Sequence, residues 1–436
     1  MPRLAWFSPM PPVRTGVAVY SADIVEALRG DHEIDVFTDH PAPGSRPAHD
    51  FIWEHQRRPF DLPVYQLGNS SFHDYTWPYL FRYPGLSVLH DAHLHHARAA
   101  QLLRVKRLDD YRTEFAANHP ETPAEMAELA IAGFDSYLYY RWPMRQLVVQ
   151  TSRAAAVHAR LMADDLRDEC PGAVVETIRL GHGERVDRDR LQRARAHVRS
   201  KYGLADDTVI FGVFGALTPE KRISQVLDAF ADVRPFAPNA RVLLAGPPAA
   251  HYDVAADIER RNLRASVVRT GYLPDDELTD HLAACDVSLN LRWPTARELS
   301  GPWLRALAAG LPTIVVDLAH TADIPALDPR TWTGTSTEEP VAVSIDILDE
   351  AHSLRLAMRR LAADATLRAQ LGAAAAAYWV REHSMETMLD DYRAVIDRTM
   401  ALPSRTLAAE LPAHLTDRGD RRLEALLHPF GLGGTL

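Results

Sequence analysis

Cysteine is nearly absent: Cys170 and Cys285 are the only two in 436 residues, and they stand far apart. That excludes a disulfide-stapled scaffold and predicts reduced thiols in a cytoplasmic protein. Long apolar runs are missing as well. The longest without a charge, about 306–316, falls well short of the ~20 residues that span a bilayer. The prolines at 2, 9, 11 and 12 interrupt any signal-peptide core near the start. There is no excess of positive charge: 48 basic against 58 acidic residues leave −10, which argues against a nucleic-acid binder. Lysine is the scarcest charged residue. Lys106, Lys201 and Lys221 are the only three, and every other basic residue is arginine. What is present is an ordinary hydrophobic fraction of 47%, enough for two or three cored domains rather than a disordered chain.

The apolar run Arg3–Ser8 stops at a Pro/Gly-rich stretch, 9–16, before a helical pattern over Val17–Arg29 and a strand pattern over Glu33–Thr38. Strand, glycine loop, helix, strand predicts a βαβ unit in a parallel sheet. Further buried strands are expected to end at Gly68, His90 and His158. Residues 97–145 read as a helical insert, Thr177–Gly183 as a strand running into a joint, and 185–203 as a charged helix. A second series follows. Strands are expected at 209–214, 241–245, 266–269, 287–290 and 313–316, and helices at 223–233, 254–262, 275–284 and 300–309. The chain then turns helical, with a long helix near 385–400 and a polar tail from 401. Two Rossmann-like domains are therefore expected, 1–183 completed by 385–436, and 184–384. Ligands belong at the carboxyl ends of their strands, facing a cleft.

Two loops carry the candidate chemistry. Phe214-Gly-Ala-Leu-Thr-Pro-Glu-Lys-Arg222 joins a strand to a helix, so its amides and Lys221 suit an anion, although a solvated lysine is the plain alternative. In Glu298-Leu-Ser-Gly-Pro302, Ser300 before Gly301 and Pro302 forms an N-cap that leaves amides for a diphosphate. Glu298 is wrong for phosphate and right for sugar hydroxyls, unless it merely supports the helix start.

These loops belong to a larger pattern. Ser8-Pro-Met-Pro-Pro-Val-Arg-Thr-Gly-Val-Ala-Val-Tyr20, Leu89-His-Asp-Ala-His-Leu-His-His96 and the 214–222 loop come first. Thr270-Gly-Tyr-Leu-Pro274, Pro294–Gly301 and Arg305-Ala-Leu-Ala-Ala-Gly310 follow. In this order and spacing the chain resembles, over roughly 4–400, the GT-B glycosyltransferases of family 4, retaining enzymes that use nucleotide-activated sugars. The resemblance implies an α/β GT-B fold whose C-terminal helix crosses back onto the first domain. It makes Gly16 the small residue that lets the backbone approach the donor, and His90 the histidine near the transferred sugar. Lys221 resembles the diphosphate-binding lysine and Glu298 the sugar-binding acid. Gly215, Gly246, Tyr272 and Leu273 resemble loop positions lining the nucleotide, with Ser300 and Gly301 as the amides beyond.

Two positions depart from the pattern. Arg305 stands where relatives often place a second, ribose-holding glutamate, and Ala216 where many have an arginine. Arginine has donors only and cannot accept from ribose hydroxyls. Arg222, Arg292 or Arg305 is left to supply the missing charge. Asp91 with His93, His95 and His96 offers a metal-like cluster, but no metal or cofactor is expected, because the resemblance implies that cations and helix dipoles neutralise the diphosphate. The insert carries Arg98, Arg104, Lys106, Arg107 and Arg112, with Tyr137, Tyr139, Tyr140 and Trp142. These offer aromatic faces to an acceptor or a basic face for weak peripheral membrane contact; a solvated helix with core aromatics is the alternative. The expected activity is a hexosyltransferase-like transfer from a nucleotide diphosphate sugar to a sugar, lipid-linked or small-molecule hydroxyl. A non-catalytic GT-B partner protein and a sugar-nucleotide epimerase are the alternatives.

Overall fold

A computed structural model describes residues 1–134, 138–295, 299–317, 323–403, 405, 411–416 and 427–430. The chain divides into two units, one of residues 1–178 and 389–436 and one of 179–295 and 299–388.

The first unit is built on a seven-stranded sheet: β1 (Arg3–Phe7), β2 (Glu33–Thr38), β3 (Ser45–Pro47), β4 (Leu62–Leu67), β5 (Leu86–Leu89), β6 (Ala154–Val157) and β7 (Val175–Thr177). The spatial order is β3-β2-β1-β4-β5-β6-β7, with every neighbouring pair parallel. β1, β4, β5 and β6 are buried at every position, because helices cover both faces of a parallel sheet. The order reverses between β1 and β4, so the loops leaving those strands open the crevice where doubly wound sheets bind ligands. Helix Gly16–Leu28 follows β1, capped by the Thr15 side chain accepting from Ala18 N at 3.1 Å. The helix Met385–Ala401 contributes its residues from 389 to this unit, where the Tyr392 ring lies 5.7 Å from that of Trp6.

The insert is helical, as expected, over His95–Leu103, Leu108–Asn118 and Glu125–Ile131, around Leu102, Tyr111, Phe115 and Met144. Arg104 and Lys106 are exposed, whereas three of its basic residues are paired with carboxylates. Arg98 is buried, forks onto Glu114 at 2.6 and 2.7 Å, and lies over the Trp77 ring. Arg107 pairs with Asp110, and Arg112 with Glu128 and Asp109. Tyr139 packs 4.4 Å from His95, and Trp142 joins the insert core. Tyr137 lies outside the described residues.

The second unit has β8 (Ile210–Phe214), β9 (Arg241–Ala245), β10 (Val267–Gly271), β11 (Val287–Asn290), β12 (Thr313–Val316), β13 (Ala326–Leu327) and β14 (Ala342–Ile345). Its order, β10-β9-β8-β11-β12-β14-β13, is again all parallel and reverses between β8 and β11. Helices Ile223–Val233 and Asp275–Ala284 match their expected spans, while the third stops at Arg260 because Asn262 turns left-handed at φ 55°. The stretch expected as a strand from 177 instead ends one at Thr177, and the break between units falls after Ile178. Beyond it the chain is clamped inside the second unit. His182 N donates to His383 O, and His182 O accepts from Trp379 Nε1 at 2.9 Å.

Burial holds the imidazoles of His73 and His119 down at about 4 and that of His95 at about 3. An unfolded histidine titrates near 6.5, so between pH 6.5 and about 4 only the unfolded chain takes up these protons. Stability of the first unit should therefore fall as pH drops through that window, by up to about 1.4 kcal/mol per pH unit for each group. Urea unfolding at pH 7 and pH 5 checks this, and an unchanged midpoint would contradict it.

Candidate functional site

In the second unit the loops leaving β8, β9 and β11 meet at the strand-order reversal. Gly215 is left-handed at φ 87°, and Gly246 stands so close that an added β-carbon would lie 2.1 Å from Gly215 O. Only glycine fits at 246, so its place is to let the two loops touch. Trp293 N donates to Glu220 O at 2.8 Å, tying the loop after β11 to the short helical turn Pro219–Lys221.

Lys221 is drawn into this junction. A β-carbon built on Gly215 would stand 3.2 Å from Lys221 Nζ and 3.7 Å from Pro302 Cγ, so the ammonium and the first turn of helix Gly301–Ala308 flank one glycine. Lys221 Nζ donates to Phe214 O, and no described carboxylate pairs with it. Burial, with the Arg292 charge second, pushes its pKa down to about 7. Ser300 caps the helix, its Oγ accepting from Trp303 N at 3.4 Å, and Pro302 has no N–H. Among the described residues no acceptor takes the Ser300 or Gly301 amide protons. A buried cation with no carboxylate partner among the described residues, beside a helix N-terminus, has the electrostatics that suit an anion.

The three arginines considered as the second cation separate. Arg222, left-handed at φ 57°, forks onto Glu350 at 2.7 and 2.5 Å and is neutralised there. Arg305 Nε donates to His182 Nε2 at 3.0 Å. Arg292, whose charge is felt at Lys221, is the one beside the site. His182 was not legible as a site residue. Its ring lies against the helix start, where a β-carbon on Gly301 would come within 3.2 Å of it. Leu273 is half-buried and Tyr272 is exposed, both just beyond β10. Glu298 lies outside the described residues.

In the first unit Gly16 opens its helix with nothing within 4 Å of an added β-carbon. His90 follows β5 and is enclosed by a chain of polar groups. Its Nε2 lies 2.8 Å from Gln66 Oε1 and its Nδ1 3.2 Å from His158 Nε2. His158 Nδ1 faces Ile178 O at 2.8 Å; the Gln66 amide reaches Tyr392 OH at 3.2 Å, and Tyr392 OH meets Tyr20 OH at 2.7 Å. Since Ile178 O only accepts, His158 carries a proton on Nδ1. A neutral chain closes when His90 Nδ1 donates to His158 and the Gln66 amino group faces His90 Nε2. Burial first, and then the neighbouring His158 and His73, hold His90 well below its ordinary pKa, which favours that neutral chain. Both ring nitrogens of His90 are thus engaged inside the unit. Two members of the metal-like cluster make structural bonds: His95 uses Nδ1 on Trp142 O and Nε2 on Tyr111 OH, and Asp91 accepts from Asn69 N.

Gln66→Met should keep the side-chain volume and leave His90 Nε2 and Tyr392 OH without their amide. The expected cost is about 1–3 kcal/mol to the first unit, read by urea unfolding. No loss would show that the chain of bonds does not hold the site.

Residues 208–333 match the family profile described as Glycosyl transferases group 1. A 2-deoxystreptamine glucosyltransferase of Streptomyces kanamyceticus is 26% identical over 191 residues, which are 42% of this chain and 46% of that protein. The match therefore spans about half of that relative's length. Among solved structures, HepE of Anabaena in complex with UDP superposes with TM-score 0.62 at 14% identity, over 91% of this chain and all of that one. Sucrose-phosphate synthase of Thermosynechococcus elongatus gives 0.62 at 15%, over 92% and 100%. The fold is that of the GT-B glycosyltransferase structures, and the segment 208–333, which holds Gly215, Lys221 and Ser300, carries the group 1 sequence pattern.

Proposed function

We propose that the protein is a glycosyltransferase of the group 1 type that moves a sugar from a nucleotide diphosphate sugar to an acceptor hydroxyl, with retention at the anomeric carbon. The observation that carries this is the Lys221 ammonium, desolvated and with no carboxylate partner among the described residues, beside the start of helix Gly301–Ala308. As the bond from the anomeric carbon to the diphosphate oxygen lengthens, negative charge grows on the leaving group. Lys221, Arg292 and the Ser300 and Gly301 amides meet that charge already in place, with little reorganisation. Glu298 is assigned the sugar hydroxyls by resemblance, and no metal is invoked. His90 is assigned a place near the sugar by resemblance alone, and both its ring nitrogens are engaged within the first unit. Arg305 faces His182, so the ribose is left to other groups than the acid found in relatives. UDP-glucose, bound in a HepE structure, is the donor to try first.

Lys221→Ala should lower turnover at least about a hundredfold, the usual cost of one leaving-group donor, while the protein stays folded. An unchanged rate removes Lys221 from the mechanism. Affinity carries a second signature. A bound diphosphate raises the lysine pKa, so above about pH 7 binding must take up a proton that the free protein has lost. Calorimetric UDP-glucose affinity should weaken from pH 7 to 9, by up to about tenfold per unit, and Lys221→Arg should abolish the trend. Failure to bind UDP, GDP or dTDP at all would favour a non-catalytic partner protein, and a new sugar formed without acceptor would favour an epimerase.

A further inference from the structure

A cavity of about 590 Å³ opens in the first unit where β2 ends, lined from Thr38 through the 39–42 loop, across β3, to Tyr75 and Tyr79. Its size is that of a small-molecule site. Because the sheet is parallel, this mouth lies on the same edge as the Gly16 loop after β1 and His90 after β5. It stands one strand from the first and three from the second, about 5 and 14 Å at ~4.8 Å per strand.

The lining decides what chemistry fits. Tyr75 donates its hydroxyl to Phe37 O, so it offers the ligand a ring and no polar tip. With Tyr79, Pro41 and Pro78 it makes flat apolar walls. The polar end is Asp39, whose Oδ1 lies 2.6 Å from His40 Nδ1. A carboxylate only accepts, so it suits neighbouring hydroxyls or an ammonium. Arg46 offers little to an anion, because Glu54 holds it at 2.8 Å and Asp35 stands at 4.0 Å. Burial first, and the Asp39 charge second, raise the Tyr75 pKa.

We infer that this cavity is a subsite for a neutral or aminated saccharide ring of the acceptor, set back from the reacting hydroxyl, so that the acceptor has more than one ring. The inference rests on the glycosyltransferase reading and deepens it.

The test is calorimetric binding of maltose, cellobiose and lactose, of the disaccharide of glucosamine, and of glucose 6-phosphate, to the full chain and two variants. UDP binding is measured on the same samples. At least one neutral or aminated disaccharide should bind the parent protein. Ala42→Trp, which fills the mouth and leaves the backbone bonds of the loop intact, should weaken it at least about tenfold. Asp39→Asn, which keeps shape and removes charge, should weaken the aminated disaccharide most. UDP affinity should not move in either variant. Absence of disaccharide binding, equal binding to both variants, or tightest binding of glucose 6-phosphate would each overturn the subsite. Loss of UDP binding by the parent protein, with disaccharide binding kept, would instead overturn the function proposed above.

Discussion

An ammonium held out of water with no described carboxylate beside it is costly, and the loops of the second unit are arranged around that cost. Gly246 and Gly215 touch through backbone alone, and Trp293 ties the loop after β11 to the turn that carries Lys221. The Ser300 cap uses the Trp303 amide and leaves those of Ser300 and Gly301 unused. Together they gather a buried cation and a helix start at one point, and burial with the Arg292 charge brings the Lys221 pKa down to about 7.

The arginine-rich composition acquires meaning beside that lysine. Arginines pair with carboxylates structurally: Arg98 forks onto Glu114 and Arg222 onto Glu350, while Arg145 pairs with Glu169 and Arg199 with Asp286. Their planar, always-charged heads suit fixed bidentate bonds. Lysine at 221 is a compact charge whose protonation answers to its surroundings. In the first unit the equivalent economy is in neutral groups. Burial keeps His90, His73 and Tyr392 uncharged, and a chain of hydrogen bonds from Ile178 O to Tyr20 satisfies the Gln66 amide and the facing ring nitrogens. That chain joins the helix after β1, the ends of β4 and β5, and the helix Met385–Ala401.

Much of this fold was readable along the chain, since buried parallel strands are short apolar runs and the intervening helices carry one apolar stripe. Val287–Asn290 and Thr313–Val316 have the bounds their patterns predicted. The strands that escaped are edge or near-edge segments. Ser45–Pro47 and Ala326–Leu327 are too short to show periodicity, and Ala342–Ile345 follows a polar loop. Lys221 and Ser300 announced themselves through loop chemistry. His182 did not, because its importance comes from lying against Gly301, more than a hundred positions away.

By itself the sequence determined the alternation that makes two doubly wound sheets, the glycine loops at their reversals, and the one lysine among arginines at a helix start. These are local properties, written in the order of neighbouring residues. Only the tertiary structure decided which charges remain open. It gave Arg222 to Glu350 and Arg98 to Glu114, enclosed His90 between Gln66 and His158, and left Lys221 without a described carboxylate. Pairing energy depends on which groups meet in space and how far water is excluded there, and no spacing along a chain encodes either.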